Sequence, residues 1–206
     1  MAMENLKTEY MKNVLSYLFI CVLPVIISCN SKQNEKIEPK VYSDYIETGN
    51  KVSGKAQGVL LANVSSAMQK GGPEYAIEFC NLQASSLIDS LSEANNCTIS
   101  RVSAKNRNQG NNLKNKKEKQ LWEHYATGIE TGSVSDTLIR NDGALVYYKP
   151  IKTVMPACLK CHGEPGEDIR PATLQKIQEL YPNDKATGYN LNEFRGMWKI
   201  AFSSPE

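Results

Sequence analysis

The segment Cys158-Leu159-Lys160-Cys161-His162 carries the most specific chemistry in the chain. Two cysteines at this spacing suit the two vinyl groups of a haem as thioether sites. A histidine directly after the second cysteine then lies beneath the iron as an axial ligand. Two other uses of a Cys-x-x-Cys pair compete. A structural zinc site needs about four ligands, and Cys80, Cys97 and His124 are what remains to complete one. A redox dithiol of thioredoxin type belongs to a strand-to-helix βαβ context, whereas this pair follows a hairpin strand and is bracketed by Pro156 and Gly163. The pattern predicts one covalent haem c at Cys158 and Cys161 with His162 on its iron.

The opposite face of the iron has four candidates by chemistry: Met155, Met197, His124 and Cys80. Met155 is too near Cys158 along the chain to reach the far side easily. Met197 falls on a strand, where a core role is more common. His124 stands among Glu118, Lys119 and Glu123, as a surface histidine would. Cys80 shares an apolar helix face and, taken alone, reads as an ordinary core residue. The residues by themselves leave this position open.

The elements that must position these groups follow a short leader. Lys7 and Lys12 precede an apolar run from Val14 to Ser28, and a polar stretch follows Cys29, which is the pattern of an export signal. The run is short of the roughly 20 residues a bilayer core requires, and Pro24 interrupts it. Ile26-Ile27-Ser28-Cys29 resembles a bacterial lipobox, so residues 1–28 read as a lipoprotein-type signal peptide, Cys29 as the lipidated residue and residues 29–43 as a tether. Of six cysteines, Cys21 leaves with the signal, Cys29 carries lipid, and Cys158 and Cys161 take the haem. Cys80 and Cys97 remain, and in an oxidising compartment a disulfide between them competes with any other role.

The rest of the chain, 44–206, is long enough for one domain with its own core: of the 206 residues 41% are apolar and 22% charged. A net charge of +2 is too weak to argue for nucleic acid. Val52, Ala56, Val59, Leu60, Val64 and Ala67 recur at helical spacing from about Asp44 to Lys70. Gly71-Gly72-Pro73 ends that helix, and Pro73 opens a second with Ile77, Cys80, Ala84, Leu87, Ile88 and Leu91 on its apolar face. Residues 97–103 have strand character, with Cys97 at the strand entrance near the surface. The basic stretch 105–119 reads mostly as loop, and Leu121, Trp122 and Tyr125 as a short helix. Strands at 135–140 and 144–151 flank the hairpin signal Asn141-Asp142-Gly143. Pro171 opens another short helix, and 196–203 alternates as a last strand. The fold class is α+β, with two N-terminal helices, an antiparallel sheet and short helices between strands.

The order of several blocks resembles one known family. Ala76-Ile77-Glu78-Phe79-Cys80, Arg101-Val102-Ser103, Arg107-Asn108 with Asn111, Tyr148-Lys149-Pro150-Ile151, Cys158-Leu159-Lys160-Cys161-His162-Gly163, and Ala186-Thr187-Gly188-Tyr189 with Arg195-Gly196 look like the successive blocks of the PAS-like c-type haem domains, long a domain of unknown function. The likeness spans roughly residues 44–206. It implies a PAS-like fold and Cys/His axial ligation, which on this sequence means Cys80 with His162. The chain departs from the family at Gln109-Gly110 and in the Asn- and Lys-rich loop that follows.

Among the basic residues, Arg101, Lys105 and Arg107 are candidate partners for haem propionates, Arg107 foremost, because a guanidinium fork matches a carboxylate; solvated loop charge is the competing reading. The leading expectation is a haem-binding module, tethered to a bacterial membrane and facing the periplasm or the cell exterior, that senses redox state or a diatomic gas for a signalling or redox partner protein. The alternative is an electron-transfer c-type cytochrome. Enzyme function is not expected, since no nucleophile-base set or paired carboxylates stand out and two histidines offer few general bases.

Overall fold

The computed structural model describes residues 36–129, 131–141 and 143–203. The signal peptide at 1–28, the lipidation residue Cys29 and the start of the tether lie outside the described residues.

Helix α1 runs over Pro39–Ala94 and is broken at Gly71-Gly72, where Gly72 has φ 71°. Only glycine adopts that left-handed conformation without steric cost, and Pro73 then restarts the helix in its first turn. The break is where the sequence places it. The start is earlier than Asp44: Pro39 fixes the first turn, Lys40 pairs with Asp44 at 3.1 Å, and Tyr45 and Ile46 already pack on the core. Residues 39–43, read from sequence as tether, are therefore helical.

Val52, Ala56 and Leu60 of the first segment share one buried cluster with Ala84 and Ile88 of the second. In a straight helix Ala56 and Ala84 would stand about 42 Å apart, so the chain must double back at the glycines. Among the described residues no helix is long and apolar enough to cross a membrane.

The four described strands are β1 (Cys97–Val102), β2 (Thr137–Asn141), β3 (Ala144–Lys152) and β4 (Phe194–Phe202). They form one antiparallel sheet in the order β1-β4-β3-β2. The hairpin read from Asn141 to Gly143 joins β2 and β3, and Gly143 has φ 85°. One sheet face, with Ile99, Leu138, Tyr147, Trp198 and Ile200, packs on α1. At Gly49 the helix comes so close that an added Cβ would stand 2.3 Å from the Tyr147 ring.

The other face, with Val102, Val146, Tyr148 and Met197, meets Tyr125 of helix α2 (Lys116–Gly128). The stretch 105–119 thus holds a 3-10 turn at Gln109–Asn111 and gives way to helix after Asn115, whose side chain accepts the Glu118 amide at 2.9 Å and caps α2. Two short helices complete the order, α3 (Pro156–His162) and α4 (Pro171–Leu180). Where β3 meets β4 the register slips: Ile151 pairs with Gly196 but Lys152 with Phe194, which leaves Arg195 as a bulge residue.

Candidate functional site

The Cys-x-x-Cys-His run forms its own helix, α3, which the sequence reading did not assign. Pro156 supplies the first turn and Gly163 ends the helix, its N–H donating to the Leu159 carbonyl at 2.9 Å. Three residues apart on a helix, Cys158 and Cys161 share a face. Both are half-buried, as is His162. Gly163 is needed for close approach, since a Cβ there would stand 2.5 Å from the Asp168 side chain.

His162 is oriented from behind. Its Nδ1 lies 2.7 Å from the Ala186 carbonyl. A carbonyl can only accept, so Nδ1 holds the proton and Nε2 keeps a free lone pair, the arrangement a metal-ligating histidine requires. Burial, reinforced by the charges of Arg195 and Arg107, holds the imidazole well below the usual histidine range, and only the Ala186 bond opposes. The following segment is strapped to α3 by Gly188 N–H to Gly163 carbonyl at 2.8 Å and Tyr189 N–H to His162 carbonyl at 2.9 Å. The Tyr189 ring meets the imidazole edge-on at 6.4 Å.

Cys80 comes to the same neighbourhood from the second segment of α1. Ile77, one turn earlier, packs with Ile169 and Ile177 of the cluster that Cys161 joins. Burial pushes the Cys80 thiol up, while Arg101 and Arg107 pull it down. Burial also pushes the Cys161 thiol up to about 11, where Arg107 opposes and Cys80 and Cys158 add to the rise. Cys80 and Cys97 are both free thiols rather than a disulfide. Cys97, expected near the surface, is only 7% exposed, because the strand entrance is covered by α1.

Arg107 touches the motif, but its fork is engaged within the chain. Nε and Nη2 meet the two Asp184 carboxylate oxygens at 3.1 and 3.2 Å, and Nη2 also donates to the Cys161 carbonyl at 2.7 Å. Asp184 gave no signal in the sequence. The remaining candidates lie apart in character: His124 is exposed on α2, Met197 is fully buried on the α2 face, and Met155 is the exposed residue before α3. Among the described residues no group of three or more His, Cys, Asp or Glu side chains converges as a metal site, which leaves the four-ligand zinc reading without support.

Fold and site together define an α+β domain with one antiparallel sheet, in which a short Cys-x-x-Cys-His helix packs beside a cysteine-bearing helix. The Tll0287-like family matches residues 5–203, and the chain belongs to that family. The fold is similar to the crystal structure of the cyanobacterial heme-protein Tll0287, with a TM-score of 0.57 and 20% identity, covering 82% of this chain and 98% of that one. No curated protein matches the chain.

Proposed function

We propose that the chain is a c-type cytochrome domain of PAS-like fold: one haem joined covalently to Cys158 and Cys161, with His162 and Cys80 on its iron. The observation that carries this reading is the His162 ring. It is held neutral, with Nδ1 tied to Ala186 and Nε2 left as donor, on the same short helix as two cysteines at attachment spacing. The donor set fits the group, since a soft thiol and an imidazole approach from different helices and a Tyr-, Arg- and Ile-lined neighbourhood surrounds them. Membership of the Tll0287-like family and the likeness to a heme-protein support the reading.

A bound haem would supply an iron able to gain and lose an electron. The chain's own part is to hold donors of unequal constancy. His162 is fixed by a part-buried hydrogen bond to the Ala186 carbonyl. Cys80 is a thiol whose ionised form is disfavoured by burial and favoured by Arg101 and Arg107, so its hold on a metal depends on the local charge. A donor of that kind can leave, which suits a redox or diatomic-gas sensor better than a carrier that must keep both ligands. The module is a binding protein rather than an enzyme, exported and held to a bacterial membrane by lipid on Cys29, where a partner protein reads its state.

Haem-linked peroxidase staining of the denatured chain should mark the polypeptide, and complete extraction of haem by acid-acetone would refute covalent attachment. Cys80→Ala should change the ferric spectrum and raise the midpoint potential, because an anionic donor stabilises ferric iron; Cys97→Ala should change neither. CO binding to the ferrous form marks the sensor, and ligand-conserving reduction marks the carrier. A palmitate analogue should label the wild type and not Cys29→Ser.

A further inference from the structure

Two guanidiniums near His162 and Cys80, those of Arg195 and Arg101, meet no carboxylate at ion-pair distance among the described residues. Arg195, as the bulge residue of β4, has no cross-strand partner, and a bulge re-aims the side chain it carries. Its Nη1 donates to Ser103 Oγ at 3.2 Å and to the Lys105 carbonyl at 3.0 Å, and its guanidinium lies over the Tyr189 ring at 5.2 Å. Its Nε is buried and has no hydrogen-bond partner. Tyr189 is the ring that meets His162, so Arg195 stands one aromatic ring behind the imidazole.

Arg101 lies on the α1 face of β1, in alternation with Cys97 and Ile99, opposite Trp198. Its guanidinium stacks over that indole at 5.8 Å and is close enough to Cys80 for each to feel the other's charge. Among the described residues it makes no ion pair and no side-chain hydrogen bond. Arg107 is the third guanidinium and is already matched by Asp184. Lys105 sits over Tyr189 at 4.1 Å, with the Glu193 carboxylate also acting on that ring. Of the three guanidiniums, Arg107 has a carboxylate partner, while Arg101 and Arg195 have none at ion-pair distance among the described residues.

An unmatched buried charge is costly, and water cannot fully replace a counter-ion there. Two guanidiniums without a carboxylate suit a ligand that brings two of them. Given the reading under Proposed function, we infer that Arg101 and Arg195 form the anchor for the two haem propionates, one guanidinium to each, while Asp184 withdraws Arg107 from that task and fixes it to the Cys161 carbonyl. The Arg195 Nε and the Arg101 fork both gain partners in this arrangement.

The test uses the holoprotein. Arg101→Met, Arg195→Met and the double variant are compared by resonance Raman of the propionate bending mode and by the midpoint potential, alongside the lysine replacements Arg101→Lys and Arg195→Lys. Each methionine variant should shift the propionate band and lower the midpoint, the double variant more than either, since removing a cation near the iron disfavours the added electron. Each lysine variant should restore the midpoint while leaving the band shifted, because charge returns without the fork. A propionate band unchanged in both methionine variants overturns the inference, and a fall in thermal midpoint with no band shift assigns the arginines a purely structural role and overturns it equally. Absence of any haem-stained band in the wild type refutes the underlying haem reading instead.

Discussion

Glu118 and Arg101 both lie within the domain as charged groups, one on each face of the sheet, yet their surroundings are opposites. The Glu118 side chain is fully buried against the α2 face, where Lys199 Nζ at 2.6 Å, Tyr148 Oη at 3.1 Å and the Lys114 N–H at 2.5 Å all donate to it. Burial pushes its carboxyl up, but the Lys114 and Lys199 hydrogen bonds outweigh that and hold it below the usual carboxylate range. Arg101, on the α1 face, stacks on Trp198 and meets no anion among the described residues, and Arg195 keeps an unpartnered Nε. A charge satisfied from within serves the fold; on the propionate inference, one left unmatched from within is kept for a ligand.

Removing Glu118 should have the largest effect on stability. Glu118→Ala strands Lys199 and Tyr148 and should cost roughly 3 kcal/mol in urea unfolding, the low end for a broken buried pair because Lys199 can turn to solvent. The same group predicts acid sensitivity. Its folded pKa lies below the unfolded value, so its contribution is full above about pH 4.5 and is lost as pH falls through the lowered folded value. Glu118→Gln should flatten that part of the stability profile, and an unchanged acid limb would break the α2 half of the comparison.

Gly49→Ala should come next, at about 2 kcal/mol, since the new methyl would overlap the Tyr147 ring and force helix and sheet apart. Asn115→Ala removes the cap that sets Glu118 in place and should cost about 1 kcal/mol, read by the same unfolding curves. Arg101→Met should have the smallest effect on urea unfolding, within about 0.5 kcal/mol, because the chain loses only its exchangeable stack on the Trp198 ring and no ion pair. A destabilisation matching that of Glu118→Ala would erase the distinction between the faces.

The sequence made the punctuation of the chain legible, because punctuation is local. Gly71-Gly72-Pro73 marks the break in α1, Asn141 to Gly143 the hairpin and Pro171 the start of α4, each through a backbone preference of the residues themselves. The Cys-x-x-Cys-His spacing drew attention to α3 for the same reason. What escaped was set by distant partners. Glu118 looked like one more solvated charge among lysines, although Asn115 and Glu118 stand at the spacing of a cap and its third helical residue, a signal masked by the lysine run. Asp184 and Ala186 organise Arg107 and His162 from far along the chain, and no local pattern announces such pairings. Cys97 was expected near the surface because its neighbours Asn95 and Asn96 are polar, but α1 folds back over it.

The position of β4 has a consequence for how the domain comes together. It is the last described strand in chain order and lies second in the sheet, between β1 and β3. The β2-β3 hairpin can form from neighbouring residues, but β1 has β4 as its sole strand partner and must wait through most of the chain for it. Closure by such distant segments is slow, because a long loop is ordered before its contacts repay it. As the chain emerges from its N-terminus, Cys80, Arg101 and Arg107 are present before Cys158 to His162, and Ala186 and Arg195 come later still. Helix α3 is thus free of its final supports until the last part of the chain has been made. Insertion of one central strand then closes sheet and site in a single late event.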